Sequence, residues 1–143
     1  MFSTSPKGIN LIKILEGLRL KWYLCTSNFK TIGYGHRWQP GDNFESLTKE
    51  QAHDLLIKDL KERENHLNGL NLKINQNEFD ALISFIYNIG FGAFITSTVY
   101  KGLLNDDREL SRAFWMKWVG IPPEPGLVNR RAEELKLFDS SEV

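Results

Sequence analysis

The segment from Asn75 to Gly90 constrains the fold most strongly, because it predicts a helix that must be buried. Asn75 and Glu78 form a capping box, in which each side chain can accept from the backbone N–H of the other residue. Gly90 ends the helix, and its apolar residues are spread around almost the whole circumference: Phe79, Leu82, Ile83, Ile86 and Ile89. A helix that is apolar all round does not lie at a surface. We therefore expect this one at the centre of the core.

The first part of the chain predicts one helix followed by a small sheet. Ser5 is an N-cap, Pro6 suits the first helical position, and Gly17 ends the helix. Glu16 is thereby placed at a helix C-terminus. Residues 19–36 are rich in Trp, Tyr, Phe, Thr and Ile and are broken by turn residues, which predicts a hairpin of two or three strands.

The remainder of the chain predicts helices. Thr48 with Gln51 makes a second capping box, which opens a long helix that ends at residues 68–69. Three shorter helices are expected near residues 97–104, 108–118 and 127–138. The segment Gly120 to Gly126 contains three prolines and predicts a loop, and residues 139–143 are expected to fray. The fold class predicted is α+β, in a single domain.

Composition excludes several classes of protein. The 18 basic residues balance the 18 acidic ones, which disfavours binding to nucleic acid or to a membrane surface. No apolar run approaches the roughly 18 to 20 residues that span a bilayer. Residues 1–10 lack the features of a signal peptide, so we expect folding in a cytoplasm. The single cysteine, Cys25, excludes an internal disulfide, and His36, His53 and His66 lack metal-ligand spacing, so no metal is expected.

The residues that could carry chemistry lie between Glu16 and His36. An acid catalyst needs a carboxyl group whose pKa is raised, and the negative end of a helix dipole acts in that direction. Glu16 has this position, although a glutamate in a last helical turn is more often simply solvated. Cys25 and Thr31 lie on opposite arms of the hairpin, whose pairing could bring them together. Taken alone, Cys25 is typical of a small buried hydrophobe and His36 of a structural histidine.

This segment resembles the active-site signature of the phage-type lysozymes, the endolysins of glycoside hydrolase family 24. The signature is a glutamate, eight residues, an aspartate or in some branches a cysteine, five residues, and a threonine within a motif such as TIGYGH. Here Glu16, Cys25 and Thr31 match that spacing. The resemblance continues in family order through LTKEQAHDLL, NQNEFDALISFIYNIGFGAF and GLVNRRAEELKLF.

The resemblance implies a lysozyme-like α+β fold with two lobes. The N-terminal lobe, about residues 1–48, holds the small sheet. A long helix of about residues 49–68 joins it to a helical lobe of about residues 75–138. Such a layout predicts a substrate cleft between the lobes.

The resemblance further implies a bacteriolytic muramidase that hydrolyses the β-1,4 bond between N-acetylmuramic acid and N-acetylglucosamine in peptidoglycan. Glu16 is then the general acid that protonates the leaving oxygen, while Cys25 and Thr31 stabilise or attack the oxocarbenium-like centre or hold a water. Cys25 departs from the commoner aspartate. Because a free thiol titrates near roughly pH 8.5, either the pKa of Cys25 is depressed or its role is not one of charge.

Other residues take supporting roles by resemblance. The sequence NRR matches the family's arginine site facing the glutamate, and Arg130 is favoured over Arg131. His36 is assigned a supporting structural role. Three residues lie where the family lines its cleft: Tyr87, Asn88 and Ser97. No cofactor is implied.

Glycines and aromatic residues complete the site predictions. Gly33 and Gly35 either let the backbone approach a sugar or mark a bend. Trp38 is either a sugar platform or a peripheral packing residue. The remaining large aromatics are expected in the core: Trp22, Phe85, Phe114, Trp115 and Trp118.

Three alternative functions stay open at this stage. A lytic transglycosylase also uses a single glutamate, a cysteine hydrolase would pair Cys25 with His36, and an inactive wall-binding or structural phage module would cleave nothing.

The resemblance implies that the partner is the peptidoglycan glycan strand, with no nucleic acid and no stable membrane association. It also implies a monomer that stays in the host cytoplasm until a holin opens the membrane and then acts at the cell wall.

Overall fold

The structure, a computed structural model, describes residues 1–140, and this part of the chain contains both helices and a small sheet. Its elements in chain order are α1 (Pro6–Glu16), β1 (Arg19–Leu24), β2 (Lys30–Gly33), β3 (His36–Arg37), α2 (Lys49–Gly69), α3 (Gln76–Ile89), α4 (Phe91–Ile95), α5 (Thr98–Leu104), α6 (Arg108–Trp115) and α7 (Pro125–Phe138). The predicted α+β class is confirmed.

Helix α3 lies at the centre of the core, as its sequence predicts. Every residue from 77 to 86 is buried, and the Asn75–Glu78 capping box is formed in both directions. Helices α1, α2 and α7 all pack against α3. The core around it is built from large apolar side chains, among them Ile12, Leu56, Phe79, Phe85, Phe94, Trp115 and Phe138.

Helix α1 lies directly on α3 through a close contact at Gly8. A Cβ atom on Gly8 would lie 2.7 Å from the Cβ of Asp80, closer than real atoms approach. Ser5 caps α1 and donates its hydroxyl to Asp80, which also accepts from the Ser5 backbone N–H at 3.0 Å. These contacts fix the first turn of α1 against α3, and Glu16 lies at the other end of the same helix. The same contacts join α1, which the sequence assigned to the N-terminal lobe, to the helical lobe. The lobe limits of 1–48, 49–68 and 75–138 stay a prediction.

The three strands form one antiparallel sheet in the order β1-β2-β3. Thr31 pairs with Tyr23 on one side and with Arg37 on the other, while Ile32 pairs with His36. Because successive residues of a strand point to opposite faces, Tyr23, Thr31 and Arg37 share one face of the sheet. Ile32 and His36 share the other face and are buried.

Helix α2 connects the sheet to α3 and has 21 residues, a length of about 30 Å. It begins with the predicted capping box of Thr48 and Gln51. One face is buried through Ala52, Leu56, Leu60 and Leu67. None of the helices in residues 1–140 is long and apolar enough to cross a membrane.

Several predicted boundaries are wrong. The predicted loop 120–126 ends at Glu124, because Pro125 occupies the first turn of α7, where its missing N–H is no loss. Helix α6 ends at Trp115 and is followed only by a turn at residues 116–117. The short helix α4, a single turn of five residues, was not predicted, since its glycine-containing sequence carries no helical period.

Two of the expected core aromatics lie partly at the surface. Phe85 and Trp115 are fully buried as predicted, and Trp22 is half-buried. Phe114 and Trp118, in contrast, are each 36% exposed. Trp118 follows the turn beyond α6, and its ring and the Phe85 ring meet edge to face, with centroids 6.0 Å apart.

Residues at the end of the chain are partly described. Of the tail 139–143 that the sequence predicts to fray, residues 141–143 lie outside the described residues. The carboxylate of Asp139 accepts from Arg112 at 2.6 Å, and the Ser140 hydroxyl donates to the carbonyl of Leu137. The first two residues of this tail are therefore tied to the helical part of the protein.

Candidate active site

The carboxylate of Glu16 is held at the C-terminal end of α1. The helix ends there because Gly17 adopts a φ of 74°, and its N–H closes the last turn on the carbonyl of Lys13. The Glu16 side chain is 19% exposed, and Oε2 accepts from Nη1 of Arg130 at 2.7 Å. One carboxylate oxygen is thus engaged by a guanidinium group, and the other faces the turn between β2 and β3.

That turn approaches Glu16 through Gly35. Gly35 has a φ of 86°, and a Cβ atom there would lie 2.5 Å from Oε1 of Glu16 and 3.0 Å from its carboxyl carbon. The same Cβ would lie 3.4 Å from the ring of Tyr87. Glycine is required here both by the backbone conformation and by the space. The backbone at Gly35 therefore makes a close approach to the candidate acid itself.

Arg130, rather than Arg131, contacts Glu16, and it is buried. Its Nη2 donates to the backbone carbonyl of Ser84 at 3.0 Å, and its Nε donates to Glu134 at 3.2 Å. A guanidinium group has a rigid planar fork, so partners on three sides fix its orientation. The position of the Glu16 carboxylate is consequently set from the interior of the helical part.

Glu134 is the centre of that buried polar network. It is fully buried and also accepts from the Ser84 hydroxyl at 2.6 Å, from Trp115 Nε1 at 3.1 Å and from Arg131 Nη1 at 2.6 Å. Burial lowers the pKa of Arg131, against the opposing effect of Glu134. Sequence reasoning missed Ser84 and Glu134. The available signals were a serine within an apolar helix and a glutamate four residues after Arg130.

A cavity of about 540 Å³ opens beside Glu16, between β3, α2 and the end of α3. Gly35, whose backbone approaches the carboxylate, and Tyr87 both line it. The other lining residues are His36, Arg37, Gln39, Lys58, Asp59, Glu62, Arg63, Asn88, Ile89 and Gly90. The residues contributed by α2 were not predicted from the sequence, because on an exposed helix face they are typical solvated charges.

Three residues predicted to line the cleft have different positions. Tyr87 lines the cavity, its hydroxyl donates to the carbonyl of Tyr34 at 2.8 Å, and burial raises its pKa. Asn88 also lines the cavity and accepts from Arg131. Ser97 does not line it. Its hydroxyl caps α5 by accepting from the N–H of Tyr100, and its place in the substrate cleft stays a prediction.

The hairpin brings Cys25 and Thr31 together, on the face of the sheet that carries Arg37. The backbone N–H of Phe29 lowers the pKa of the Cys25 thiol, and the Thr31 hydroxyl and the charge of Arg37 act in the same direction. Thr31 is buried, and its hydroxyl can donate its one proton either to the Phe29 carbonyl, 2.9 Å away, or to the Cys25 sulfur. Within residues 1–140, neither side chain bonds to Glu16. A lowered pKa increases the fraction of thiolate, which is the form of cysteine that reacts or carries charge, and partial exposure makes it accessible.

His36 is a structural residue in this geometry. Nδ1 lies 2.6 Å from Asp59 and Nε2 lies 2.8 Å from Asp42. Burial alone would lower the pKa of His36, but the two carboxylates outweigh it and raise the pKa. Because both ring nitrogens are occupied, His36 has no nitrogen left to serve as a base for Cys25. The cysteine hydrolase alternative is therefore wrong.

Two further features lie near the site. Trp38, the predicted platform or packing residue, is 45% exposed, and its backbone N–H donates to the carbonyl of Lys30. In the part of the chain that the structure describes, no group of three or more histidine, cysteine, aspartate or glutamate side chains is arranged to hold a metal ion.

Comparison with known proteins identifies the family. The phage lysozyme family model matches residues 13–134. The chain is 42% identical over 141 residues to the endolysin of Bacillus phage PZA, covering 95% of this chain but 55% of that protein. It is 40% identical to the endolysin of Acyrthosiphon pisum secondary endosymbiont phage 1, covering 96% and 98% of the two chains. A crystal structure of a P22 lysozyme mutant superimposes with a TM-score of 0.84 at 35% identity, covering 98% and 100%. The chain belongs to the phage lysozyme family of enzymes.

Proposed function

We propose that the chain is a peptidoglycan muramidase of host lysis, which hydrolyses the β-1,4 bond between N-acetylmuramic acid and N-acetylglucosamine with Glu16 as general acid. The observation that carries this proposal is the position of the Glu16 carboxylate. It contacts a buried arginine, Arg130, on one side, and on the other side Gly35, which lines a cavity large enough for part of a glycan chain. The endolysin relatives support the same class of substrate.

The two oxygens of Glu16 have different surroundings, which suits proton delivery. Cleavage of a glycosidic bond needs a proton on the leaving oxygen while positive charge develops at the anomeric carbon. Oε2 is held by Arg130, whereas Oε1 lies against Gly35, which also lines the cavity. We assign proton transfer to Oε1, with Arg130 keeping the carboxyl group in one orientation.

Cys25 supplies the second catalytic group in this proposal, together with Thr31. A positive centre at the anomeric carbon is stabilised by negative charge, and the backbone N–H of Phe29 favours the thiolate form of Cys25 by lowering its pKa. Thr31 supports that form from the neighbouring strand. Cys25 thereby takes the place of the aspartate found in most members of the family.

The catalytic assignment is tested with purified peptidoglycan. Wild type, Glu16→Gln and the control Glu45→Gln, an exposed glutamate in the loop before α2, are incubated with it, and soluble fragments are analysed by mass spectrometry. We expect reducing muropeptides from wild type and control, and a loss of at least about 10²-fold in Glu16→Gln. Anhydro-sugar products would move the assignment to a lytic transglycosylase. Binding without cleavage by wild type would favour the inactive wall-binding module.

The role of Cys25 is tested by its pH dependence. Cys25→Asp restores the commoner charged group, and Cys25→Ser removes it. We expect Cys25→Asp to keep activity, and Cys25→Ser to lose at least about tenfold in kcat at neutral to alkaline pH. Full activity of Cys25→Ser with a flat profile over that range would contradict a charge role for the thiol.

Release and assembly form the last part of the proposal. By family resemblance, the chain stays in the host cytoplasm as a monomer and reaches the wall when a holin opens the membrane. Fractionation of cells that express the chain with and without a holin tests this. Secretion by intact cells lacking a holin would contradict it.

A further inference from the structure

The cavity beside Glu16 contains two guanidinium groups that no carboxylate neutralises. Arg37 of β3 and Arg63 of α2 both line it, from two different elements. Within residues 1–140, no carboxylate oxygen lies within 4.0 Å of either group. Other arginines of the chain do have carboxylate partners, namely Arg108, Arg112, Arg130 and Arg131.

Both cavity arginines are nevertheless held in place. Nη1 of Arg63 donates to the backbone carbonyl of Asp59 at 2.7 Å, and its Cζ lies 4.8 Å from the ring centre of Tyr87. The Cζ of Arg37 lies 4.0 Å from the ring centre of Phe29. A carbonyl and two aromatic rings orient these groups without cancelling their charge. The donors are therefore positioned in advance and remain available to an anion.

The acidic side chains of the cavity do not balance this charge. Of the two acidic lining residues, Asp59 is bonded to His36, and Glu62 forms no ion pair with either arginine. Lys58 adds a third basic side chain to the lining. A planar guanidinium fork matches the two oxygens of a carboxylate, so the cavity is suited to that group.

We propose, building on the muramidase function proposed above, that this cavity is a subsite for carboxylates of the peptide stem carried by muramic acid. Where the lactyl group is amide-linked to the stem, the sugars are neutral, and the nearest negative groups are carboxylates of the stem. Gly35 lines the cavity and its backbone lies against Glu16, so a stem bound there belongs to a sugar next to the cleaved bond. Arg63 and Arg37 then select glycan that still carries charged peptides.

The test uses one peptidoglycan preparation in three chemical forms. One portion retains its phosphate polymers; the rest is freed of them with hydrofluoric acid, and half of that material has its carboxylates converted to amides with carbodiimide and ammonia. Arg63→Gln is the deciding variant, because Arg37 also lies near Cys25. Arg63→Lys keeps the charge, and Arg112→Gln is the control, an arginine of α6 that pairs with Asp139 and does not line the cavity.

We expect amidation to raise KM of the wild type about tenfold, the effect of losing one charge-assisted hydrogen bond, with kcat within about twofold. Arg63→Gln should show the raised KM on untreated material and no further rise after amidation. Arg63→Lys should fall in between, and Arg112→Gln should behave as wild type.

Three outcomes overturn the proposal. They are an unchanged KM of the wild type after amidation, an Arg63→Gln variant as sensitive to amidation as the wild type, and a dependence on Arg63 seen only with walls that retain phosphate polymers. If the wild type cleaves neither material, the proposed function fails instead. Sedimentation of Glu16→Gln with both materials then decides the subsite separately, since weaker binding to the amidated form supports it and equal binding overturns it.

Discussion

Replacing Gly35 by alanine should damage catalysis through a single added methyl group. The new Cβ would lie 2.5 Å from Oε1 of Glu16, whereas ordinary contact begins at 3.4 Å. The carboxylate must therefore retreat by about 0.9 Å, the difference between these two distances. A displacement of about 1 Å at a reacting group costs on the order of 10²-fold in rate, equivalent to about 2.7 kcal/mol in the activation barrier. Retreat also disturbs the 2.7 Å hydrogen bond to Arg130.

Gly41→Ala separates this effect from backbone strain. Gly41 has a φ of 99°, and a Cβ atom added there would have no neighbour within 4 Å, so alanine meets the same kind of strain without a collision. Both variants should lose about 1–2 kcal/mol of unfolding free energy, which urea titration measures. Only Gly35→Ala should lose about 10²-fold in kcat for release of reducing ends. Wild-type kcat in Gly35→Ala, or an equal loss in Gly41→Ala, would refute the reasoning.

Two further predictions concern stability. Glu134→Gln leaves two buried guanidinium groups without their shared carboxylate and should lower the unfolding free energy by about 3–5 kcal/mol. The control Glu133→Gln, on the same helix, should change it by less than about 0.5 kcal/mol. Similar urea midpoints for the two variants would contradict this prediction. Because its pKa is raised, protonated His36 contributes stability that is fully present below about pH 6.5 and is lost as pH rises through the folded-state pKa. Because its pKa is lowered, ionised Asp42 contributes stability that is present above about pH 3.8 and is lost as pH falls through its folded-state pKa. The stability difference between wild type and His36→Gln should therefore be larger at about pH 5.5 than at about pH 8.5, and an equal difference at both would contradict stabilisation by the contacts of His36 with Asp42 and Asp59.

The helices were predictable because their signals are local. The capping boxes at Thr48 and Asn75 and the stop at Gly90 each act within a few residues, so the bounds of α2 and α3 followed from the sequence. The start of α7 at Pro125 was missed because proline usually indicates a helix break unless it is recognised as a first-turn residue. Surface position was harder to predict. The exposure of Trp118 depends on the turns after α6 rather than on residue type.

Part of the candidate site could also be predicted from the sequence. The hairpin pairing that brings Cys25 to Thr31 is local, and the spacing from Glu16 carried the family resemblance. The choice of Arg130 over Arg131 rested on resemblance, and adjacent residues on a helix point about 100° apart, so only packing determines which one reaches the glutamate.

The sequence by itself determined the bounds of α2 and α3, that α3 is buried, and that one hairpin brings Cys25 to Thr31, since all of these depend on neighbouring residues. The tertiary structure decided what surrounds Glu16. Gly35, Arg130 and the cavity arginines come from distant elements, and their meeting depends on close contacts such as that of Gly8 with Asp80. Packing across the core follows no repeat along the chain. No local sequence pattern therefore predicts which groups contact each oxygen of the Glu16 carboxylate.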